Sequence, residues 1–179
     1  VLARRLAILP QASDAAPLLT VCELVGFGRY PYHKGRPTAE DDEKVEAALA
    51  TFDLLPLAER RLDTLSGGQR QRAQVAMTFA QETDYILLDE PLNNLDIAAS
   101  RSLMRTLQDL ARNHGRTIVI VLHDINYAAA YADQIVAMKD GRITHQGPAV
   151  EVVTEAMLLQ VYGTSASVHY IGDKVVVAV

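Results

Sequence analysis

The sequence is poor in the features that mark several large classes of protein. Its 179 residues hold a single cysteine, Cys22, which excludes a disulfide framework or a cysteine-based metal site among them and fits a reducing cytoplasm. The longest apolar runs, such as TIVIVL at 117–122, are far shorter than the ~20 residues of a membrane span, and no signal peptide is recognisable. The net charge of −5 argues against a dedicated nucleic-acid-binding protein. What remains is an ordinary globular composition, sufficient for one domain with a sizeable core, with an inserted subdomain as the alternative.

Three apolar segments are typical of β-strands. YILLDEP (85–91) and RTIVIVLHD (116–124) contain continuous apolar runs, which predict strands buried on both faces. A helix from about Asp96 to Asn113 separates them, and the order strand–helix–strand predicts a parallel sheet. RRLAILPQ (4–11) predicts an earlier short strand ended by a proline. We therefore expect an α/β fold with a mostly parallel sheet.

The residues between the first two strands have helical patterns. Thr20 is in position to cap a helix over 20–28, and Thr38 is in position to cap a second one. The intervening segment YPYHKGRP (30–37) is rich in proline and glycine, so we expect a loop there. A third helix is expected to begin near Ser66.

The end of the sequence predicts smaller elements. We expect a hairpin turning at Asp140-Gly141, a helix over about 154–162 and a second hairpin turning at Gly172-Asp173. The whole chain is thereby divided into four segments: the end of a core at 1–14, a helical subdomain at 15–82, an α/β core at 83–150, and a C-terminal helix and hairpin at 151–179.

Two carboxylates follow the strand YILLD. The C-terminal ends of parallel strands are where open α/β sheets bind ligands. There Asp89 can hold Mg²⁺, as the Walker-B acid of P-loop nucleotidases does, and Glu90 can take a proton from a water attacking a γ-phosphate. Because Asp and Glu are common at strand ends, this pair alone is weak evidence.

The segment LSGGQ has the composition of a phosphate-binding site. Free backbone N–H groups at a helix N-terminus attract anions, Gly67 and Gly68 allow close approach, and the Ser66 hydroxyl adds a donor. A capped helix with a glycine turn explains the segment equally well when it is taken alone. Three further residues have similarly plain explanations: Gln11 and His123 each follow a strand, and Asp96 can cap a helix.

The order and spacing of these motifs resemble the ATPases of ABC transporters over nearly the whole chain up to about residue 150. This resemblance implies the P-loop NTPase fold, ATP and Mg²⁺ as ligands, and a second ATPase subunit paired head to tail. It assigns a role to each matching residue: Gln11 the Q-loop glutamine that contacts Mg²⁺ or the attacking water, Ser66, Gly67, Gly68 and Gln69 the signature, Asp89 the Walker-B aspartate, Glu90 the catalytic base, Asp96 the D-loop aspartate, and His123 the switch histidine.

One motif of that family is not found here. None of the ten glycines is followed by lysine, so there is no Walker A loop, and only ten residues precede Gln11. A strand–loop–helix unit with its next strand needs at least ~30 residues. We therefore interpret the chain as a fragment of the fold and expect these residues alone neither to bind ATP tightly nor to hydrolyse it.

The stretch LTVCELVGFGRYPYHKG (19–35) is similar to the corresponding stretch of importers of ferric siderophores, haem and cobalamin. In these proteins it opens the helical subdomain that docks on the permease, which implies that Tyr30, Pro31 and Tyr32 lie near the docking surface. The resemblance further implies a peripheral location on the cytoplasmic face of a bacterial inner or plasma membrane, with no nucleic-acid partner. Three alternatives stay open: an ABC ATPase of DNA repair or chromosome maintenance, a soluble ABC protein of translation, and a non-catalytic interaction module.

Overall fold

The computed structural model describes residues 2–11, 18–172 and 174–178. They fall into two compact units, Val1–Val121 and Leu122–Val179. No described helix is both long enough and apolar enough to cross a bilayer.

A three-stranded parallel sheet forms the base of the first unit. Its strands are β1 (Leu6–Leu9), β2 (Tyr85–Asp89) and β3 (Thr117–Val121), in the order β1-β2-β3. Leu87 pairs with Ile8 on one side and Val119 on the other, and α5 (Ile97–Asn113) connects β2 to β3. The predicted strand–helix–strand unit and its parallel sheet are confirmed.

The expectation that β2 and β3 are buried on both faces is wrong. Ile86 and Leu88 are only 2% and 1% exposed, whereas Tyr85 and Val119 on the opposite face are 45% and 53% exposed. Side chains alternate between the two faces of a strand, and within the described part of this unit only the face of Ile86 is covered. A continuous apolar run therefore does not distinguish a strand covered on one face from one covered on both.

Four helices precede β2 within the described part of the chain. Three of them begin at a capping box, in which the side chains of Thr20, Thr38 and Ser66 each accept the N–H of the residue three positions later, whose side chain accepts in return. The segment 30–37, expected to be a loop, contains one helical turn, because Pro31 is tolerated in the first turn of a helix. The helices are α1 (Val21–Phe27), α2 (Tyr30–His33), α3 (Ala39–Thr51) and α4 (Gly67–Ala80), accompanied by 3-10 turns at Leu2–Arg4, Leu55–Leu57 and Leu62–Thr64.

Gly28 lies in very close contact with α4. A Cβ atom at this position would lie 2.1 Å from the backbone oxygen of Met77, whereas a Cβ at Gly26 would have nothing within 4 Å. Because a backbone oxygen cannot swing aside, we expect Gly28→Ala to lower the free energy of unfolding by about 1–3 kcal/mol or more. Gly26→Ala is the matched control and should be neutral or stabilising by up to ~1 kcal/mol, since alanine favours helix. Urea unfolding of both variants measures this, and equal midpoints would contradict the close contact.

Arg29 is the centre of a charged cluster, hereafter the Arg29 cluster, in which Arg29 and Asp41 are buried and Lys44 and Glu82 are partly exposed. The Arg29 side chain is only 3% exposed; its Nε donates to Asp41 Oδ1 at 3.0 Å and its Nη1 donates to Glu82 Oε2 at 3.1 Å. Lys44 Nζ donates to the other oxygen of Glu82 at 2.7 Å. These bonds join the end of α1 to α3 and to the residues that follow α4.

Further bonds strengthen this junction at the C-terminal end of α4. Arg29 Nη1 also donates to the carbonyl of Ala80 at 3.0 Å, and its guanidinium carbon lies 4.0 Å from the centre of the Tyr32 ring. The Tyr32 hydroxyl donates to the carbonyl of Gln81 at 2.9 Å. The segment around α2 is thus fixed to one end of α4, while the signature residues Ser66–Gln69 form the other end.

The described residues of the second unit form two hairpins and three helices around a small core. The hairpin turn at Asp140-Gly141 and the helix near 154–162 are confirmed. The last two strands pair as expected, and their turn residue Asp173 lies outside the described residues. Its elements are α6 (Ile125–Tyr131), β4 (Ile135–Lys139), β5 (Arg142–Gly147), α7 (Ala149–Val152), α8 (Glu155–Tyr162), β6 (Ser167–Ile171) and β7 (Lys174–Ala178). Its core is formed by Ile135, Val152, Val153, Met157, Leu158, Val175 and Val177.

Helix α6 was not predicted from the sequence, and a side chain ties it to the last strand. Asn126 Oδ1 accepts the backbone N–H of Val177 at 2.8 Å, and Asn126 Nδ2 donates to the carbonyl of the same residue at 3.1 Å. An amide side chain thereby pairs with β7 as a neighbouring strand would. The four-segment division of the chain remains a prediction.

Candidate functional site

The candidate site begins where β1 and β2 end. Parallel strands end at the same edge of a sheet, so residues that follow them are neighbours in space although distant in sequence. Gln11 Nε2 donates to Glu90 Oε2 at 2.9 Å across 79 residues of sequence. The structure thus joins two of the residues that sequence reasoning selected.

Glu90 occupies a tight turn after β2. Its φ angle is +51°, in the left-handed region that non-glycine residues seldom adopt. Two backbone bonds hold the turn: Glu90 N donates to the carbonyl of Val121 at 3.2 Å, and Asn93 N donates to the carbonyl of Glu90 at 3.2 Å. The backbone conformation therefore fixes the position and direction of the Cα–Cβ bond of Glu90.

A second amide reaches the same carboxylate oxygen. Asn93 Nδ2 donates to Glu90 Oε2 at 2.6 Å, so this oxygen accepts from both Asn93 and Gln11. Sequence reasoning missed Asn93. The available signal was an asparagine three residues after Glu90 in a turn, where a short amide side chain bonds readily to its neighbours.

Asp89 is the last residue of β2 and is half-buried opposite Val121 of β3. The bond from Gln11 Nε2 to Glu90 assigns the amide orientation, so Gln11 Oε1 is the atom of this side chain that can act as a metal ligand. Asp89 ends β2 and Gln11 follows β1, so both supply oxygen atoms at the same edge of the sheet, and oxygen ligands together with water and phosphate are what Mg²⁺ prefers. The residues present therefore fit the ion that the sequence implies.

The signature residues form the start of α4. Ser66 Oγ accepts the N–H of Gln69 at 3.2 Å, and Gln69 Oε1 accepts the N–H of Ser66 at 3.0 Å. Helical geometry leaves the first N–H groups without partners inside the helix, and the helix dipole makes this end attractive to an anion. The start of α4 is thus electrostatically suited to bind a phosphate.

The glycines of the signature pack against the turn that follows Glu90. A Cβ added to Gly67 would lie 3.4 Å from the Asn94 Cβ, and one added to Gly68 would lie 3.1 Å from Leu95 Cδ2. A Cβ at Gly67 would make an ordinary van der Waals contact, whereas one at Gly68 would require the Leu95 side chain to shift by a few tenths of an ångström. The signature and the turn at 90–96 are therefore parts of one local structure within the first unit.

Asp96 and His123 lie at the starts of other helices. Asp96 Oδ1 accepts the N–H of Ala99 at 2.7 Å and caps α5, which is the plain role that sequence reasoning weighed for it. His123 belongs to the second unit, where it is exposed and directly precedes Asp124, the cap of α6. The additional roles implied for both residues remain predictions.

Cys22 has no feature of a nucleophile. Burial first, and then the negative charges of Glu59, Asp42 and Glu23, raise the pKa of its thiol above the ordinary value. A raised pKa disfavours the reactive thiolate. Its position in α1, with a half-buried side chain, fits packing.

Comparisons with known proteins agree with this geometry. A family model described as "ABC transporter" matches residues 1–93. The chain is 52% identical over 163 residues to the petrobactin import ATP-binding protein FatE of Bacillus anthracis, and 46% identical over 173 residues to the petrobactin import ATP-binding protein YclP of Bacillus subtilis (strain 168). These matches cover 91% and 97% of this chain but 65% and 69% of the relatives, so the chain spans about two thirds of their length.

A solved structure resembles the fold as a whole. It is described as an inward-facing ABC transporter of the metal-chelate type, and it matches with a TM-score of 0.87 and 26% sequence identity. The match covers 97% of this chain and 72% of that one. The α/β fold with a parallel sheet, expected from the sequence, is thereby confirmed as that of an ATP-binding cassette.

Proposed function

The chain belongs to the ABC transporter family, and we propose that it acts as the ATP-hydrolysing subunit of an importer for ferric siderophores or related metal chelates. The relatives named above are import ATP-binding proteins for petrobactin. Similarity at this level supports the same class of cargo without selecting one chelate. The expectation that these 179 residues alone bind ATP weakly stays a prediction.

The observation that carries the proposal is the hydrogen bond between Gln11 and Glu90 at the carboxyl ends of β1 and β2. It places an amide that can bind a metal beside a carboxylate that can accept a proton. In this proposal Glu90 orients and polarises the attacking water, and Asp89 and Gln11 would hold Mg²⁺. The role of γ-phosphate contact for His123 rests on family resemblance alone. Bound Mg²⁺ supplies charge neutralisation on the phosphate oxygens.

The signature acts on a nucleotide of a partner in this proposal. By family resemblance, Ser66, Gly67, Gly68 and Gln69 face ATP held by a second ATPase subunit in a head-to-tail dimer, with Asp96 at the same boundary. The capped start of α4 supports this role, because its N–H groups suit a phosphate.

A permease is the other proposed partner. Phe27 and Tyr30 are 54% and 56% exposed, so this end of α1 and α2 presents aromatic surface while Arg29 between them is buried. Exposed aromatic side chains favour a protein contact. Docking at this surface would hold the subunit at the cytoplasmic side of the membrane.

The function is tested in cells that lack the gene. The native subunit, meaning the protein as the cell produces it, is restored from a plasmid, and growth is measured on iron-limited medium with one added catecholate or hydroxamate siderophore at a time. We expect growth with at least one ferric siderophore to require the gene. Unchanged growth with every siderophore, together with increased sensitivity to DNA damage, would contradict the proposal and favour a repair ATPase.

A further inference from the structure

We propose that Asn93 is a positioning residue for Glu90: its side-chain amide fixes the orientation of the carboxylate that polarises the attacking water. This inference rests on the proposed function, because it concerns the same site. Its basis is the 2.6 Å bond from Asn93 Nδ2 to Glu90 Oε2, made beside the 2.9 Å bond from Gln11 Nε2 to the same oxygen.

Two donors on one oxygen restrict the carboxylate more than one donor does. A glutamate side chain has three rotatable torsions, and the terminal one is broad and poorly restricted by sterics. Bonds that arrive from two separate segments, the end of β1 and the turn after β2, leave few orientations that satisfy both. A charged acceptor makes each bond short and strong, so the carboxylate is oriented before a water arrives.

The two donors differ in how they are connected to Glu90. Gln11 comes from a strand 79 residues away, whereas Asn93 lies in the same turn and is three residues distant. Gln11 is also the proposed ligand of Mg²⁺ through its other amide atom, so its side chain would serve two partners. Asn93 is joined to Glu90 by a backbone bond as well as by its side chain, which suits it to hold the carboxylate.

A purely structural role for Asn93 can be separated from this one. The turn itself is held by the backbone, since Asn93 N donates to the carbonyl of Glu90 whatever its side chain. The Asn93 side chain is exposed and fills no core. Substitution of the side chain should therefore preserve the turn and change only the bond to the carboxylate.

The test uses the native subunit with its permease in lipid vesicles and three variants at this position. Asn93→Ala removes the donor, Asn93→Ser retains a shorter donor, and Asn93→Asp keeps the shape but replaces the donor with a second negative charge. Asn113→Ala is the matched control, because Asn113 Nδ2 donates to Asp109 Oδ1 at the same 2.6 Å on an exposed part of α5. The measurements are kcat, KM for Mg-ATP, the Kd of Mg-ATP and the thermal midpoint.

We expect Asn93→Ala to reduce kcat by about 10- to 100-fold, because a small misplacement of a reacting group lowers the rate by up to about that factor. KM and Kd should change by less than about twofold, because the site still binds nucleotide. The thermal midpoint should change by no more than a few degrees. Asn93→Ser should recover part of the lost kcat, Asn93→Asp should lose at least as much as alanine, and Asn113→Ala should match the wild type.

Two results would overturn the inference. One is an Asn93→Ala or Asn93→Asp protein whose kcat lies within twofold of the wild type. The other is a loss of kcat that Asn93→Ser does not relieve and that a lowered thermal midpoint accompanies, which would make the side chain structural. Failure of the proposed function looks different: wild-type subunit without ATPase activity, or Glu90→Gln with full activity, would remove the site itself.

Discussion

Replacing Glu90 with glutamine is expected to reduce ATP turnover of the native subunit by about 10²- to 10⁴-fold, the usual contribution of a general base. The glutamine amide has nearly the same shape but cannot accept a proton from water. Its side-chain oxygen can still accept the bonds from Gln11 and Asn93, so the fold of the site should persist. Nucleotide should therefore still bind, and the ATP-bound dimer should accumulate. Phosphate release measures turnover, and size-exclusion chromatography with Mg-ATP measures the dimer.

A matched glutamate elsewhere controls for the loss of a charge. Glu155 lies in the exposed first turn of α8, far along the sequence from any proposed site residue, and Glu155→Gln should hydrolyse ATP at the wild-type rate. Undiminished hydrolysis by Glu90→Gln would show that another group accepts the proton. The hydrogen bonds to Glu90 would then be structural only.

Replacing Arg29 with alanine is expected to be the most damaging of these changes for stability, lowering the free energy of unfolding by about 3–5 kcal/mol. The substitution leaves the Asp41 carboxylate, whose side chain is 7% exposed, without its buried cation. It also removes the bonds to Ala80 and Glu82 that join the helices to the end of α4. The urea midpoint of the native subunit measures the effect.

A surface ion pair serves as the comparison. Arg61 and Asp63 form a pair at 2.8 Å with side chains that are 50% and 42% exposed, and Arg61→Ala should cost at most about 1 kcal/mol. If the Arg29 and Arg61 variants unfold at the same urea concentration, the Arg29 cluster does not hold the helices together.

The Arg29 cluster should make the free energy of unfolding depend on pH in the acidic range. Burial acts most strongly on Asp41 and alone would raise its pKa, but hydrogen bonds from Thr38 and Arg29 and the Arg29 charge together lower that pKa below its ordinary 3.8. A lowered carboxylate pKa contributes stability above the unfolded value, and this contribution is lost as the pH falls through the folded value. The stability advantage of the wild type over Asp41→Asn should therefore be full above about pH 3.8 and shrink below it. An advantage that does not change with pH would contradict the account.

Local patterns in the sequence predicted most of the fold. The capped helix starts at Thr20, Thr38 and Ser66 were recognisable because each cap involves residues only three positions apart. The strands around Leu87 and Val119 were recognisable as apolar runs between helical segments. How much of each strand is covered depends on neighbours distant in sequence, and for that reason the prediction of two buried faces was wrong.

Asp89 and Glu90 were selected because they end a predicted parallel strand, and the order of the motifs added Gln11. The contact between Gln11 and Glu90 follows from the parallel pairing of β1 and β2, and the roles of these residues stay predictions. Asn93 and the Arg29 cluster were missed, because a side-chain bond across a turn or between helices has no periodic pattern in sequence. The close approach of Gly28 to Met77 is a packing contact between residues 49 positions apart in sequence, and no local pattern indicates it.

The most direct measurement is uptake of radioactive iron, bound to the siderophore that supports growth, by cells that contain the wild-type native subunit or its Glu90→Gln variant at equal abundance. The account predicts rapid accumulation with the wild type and only background accumulation with the variant, because it proposes that ATP hydrolysis at Gln11, Asp89 and Glu90 drives uptake. Equal uptake by the two strains would show that import does not depend on this carboxylate and would contradict the central claim.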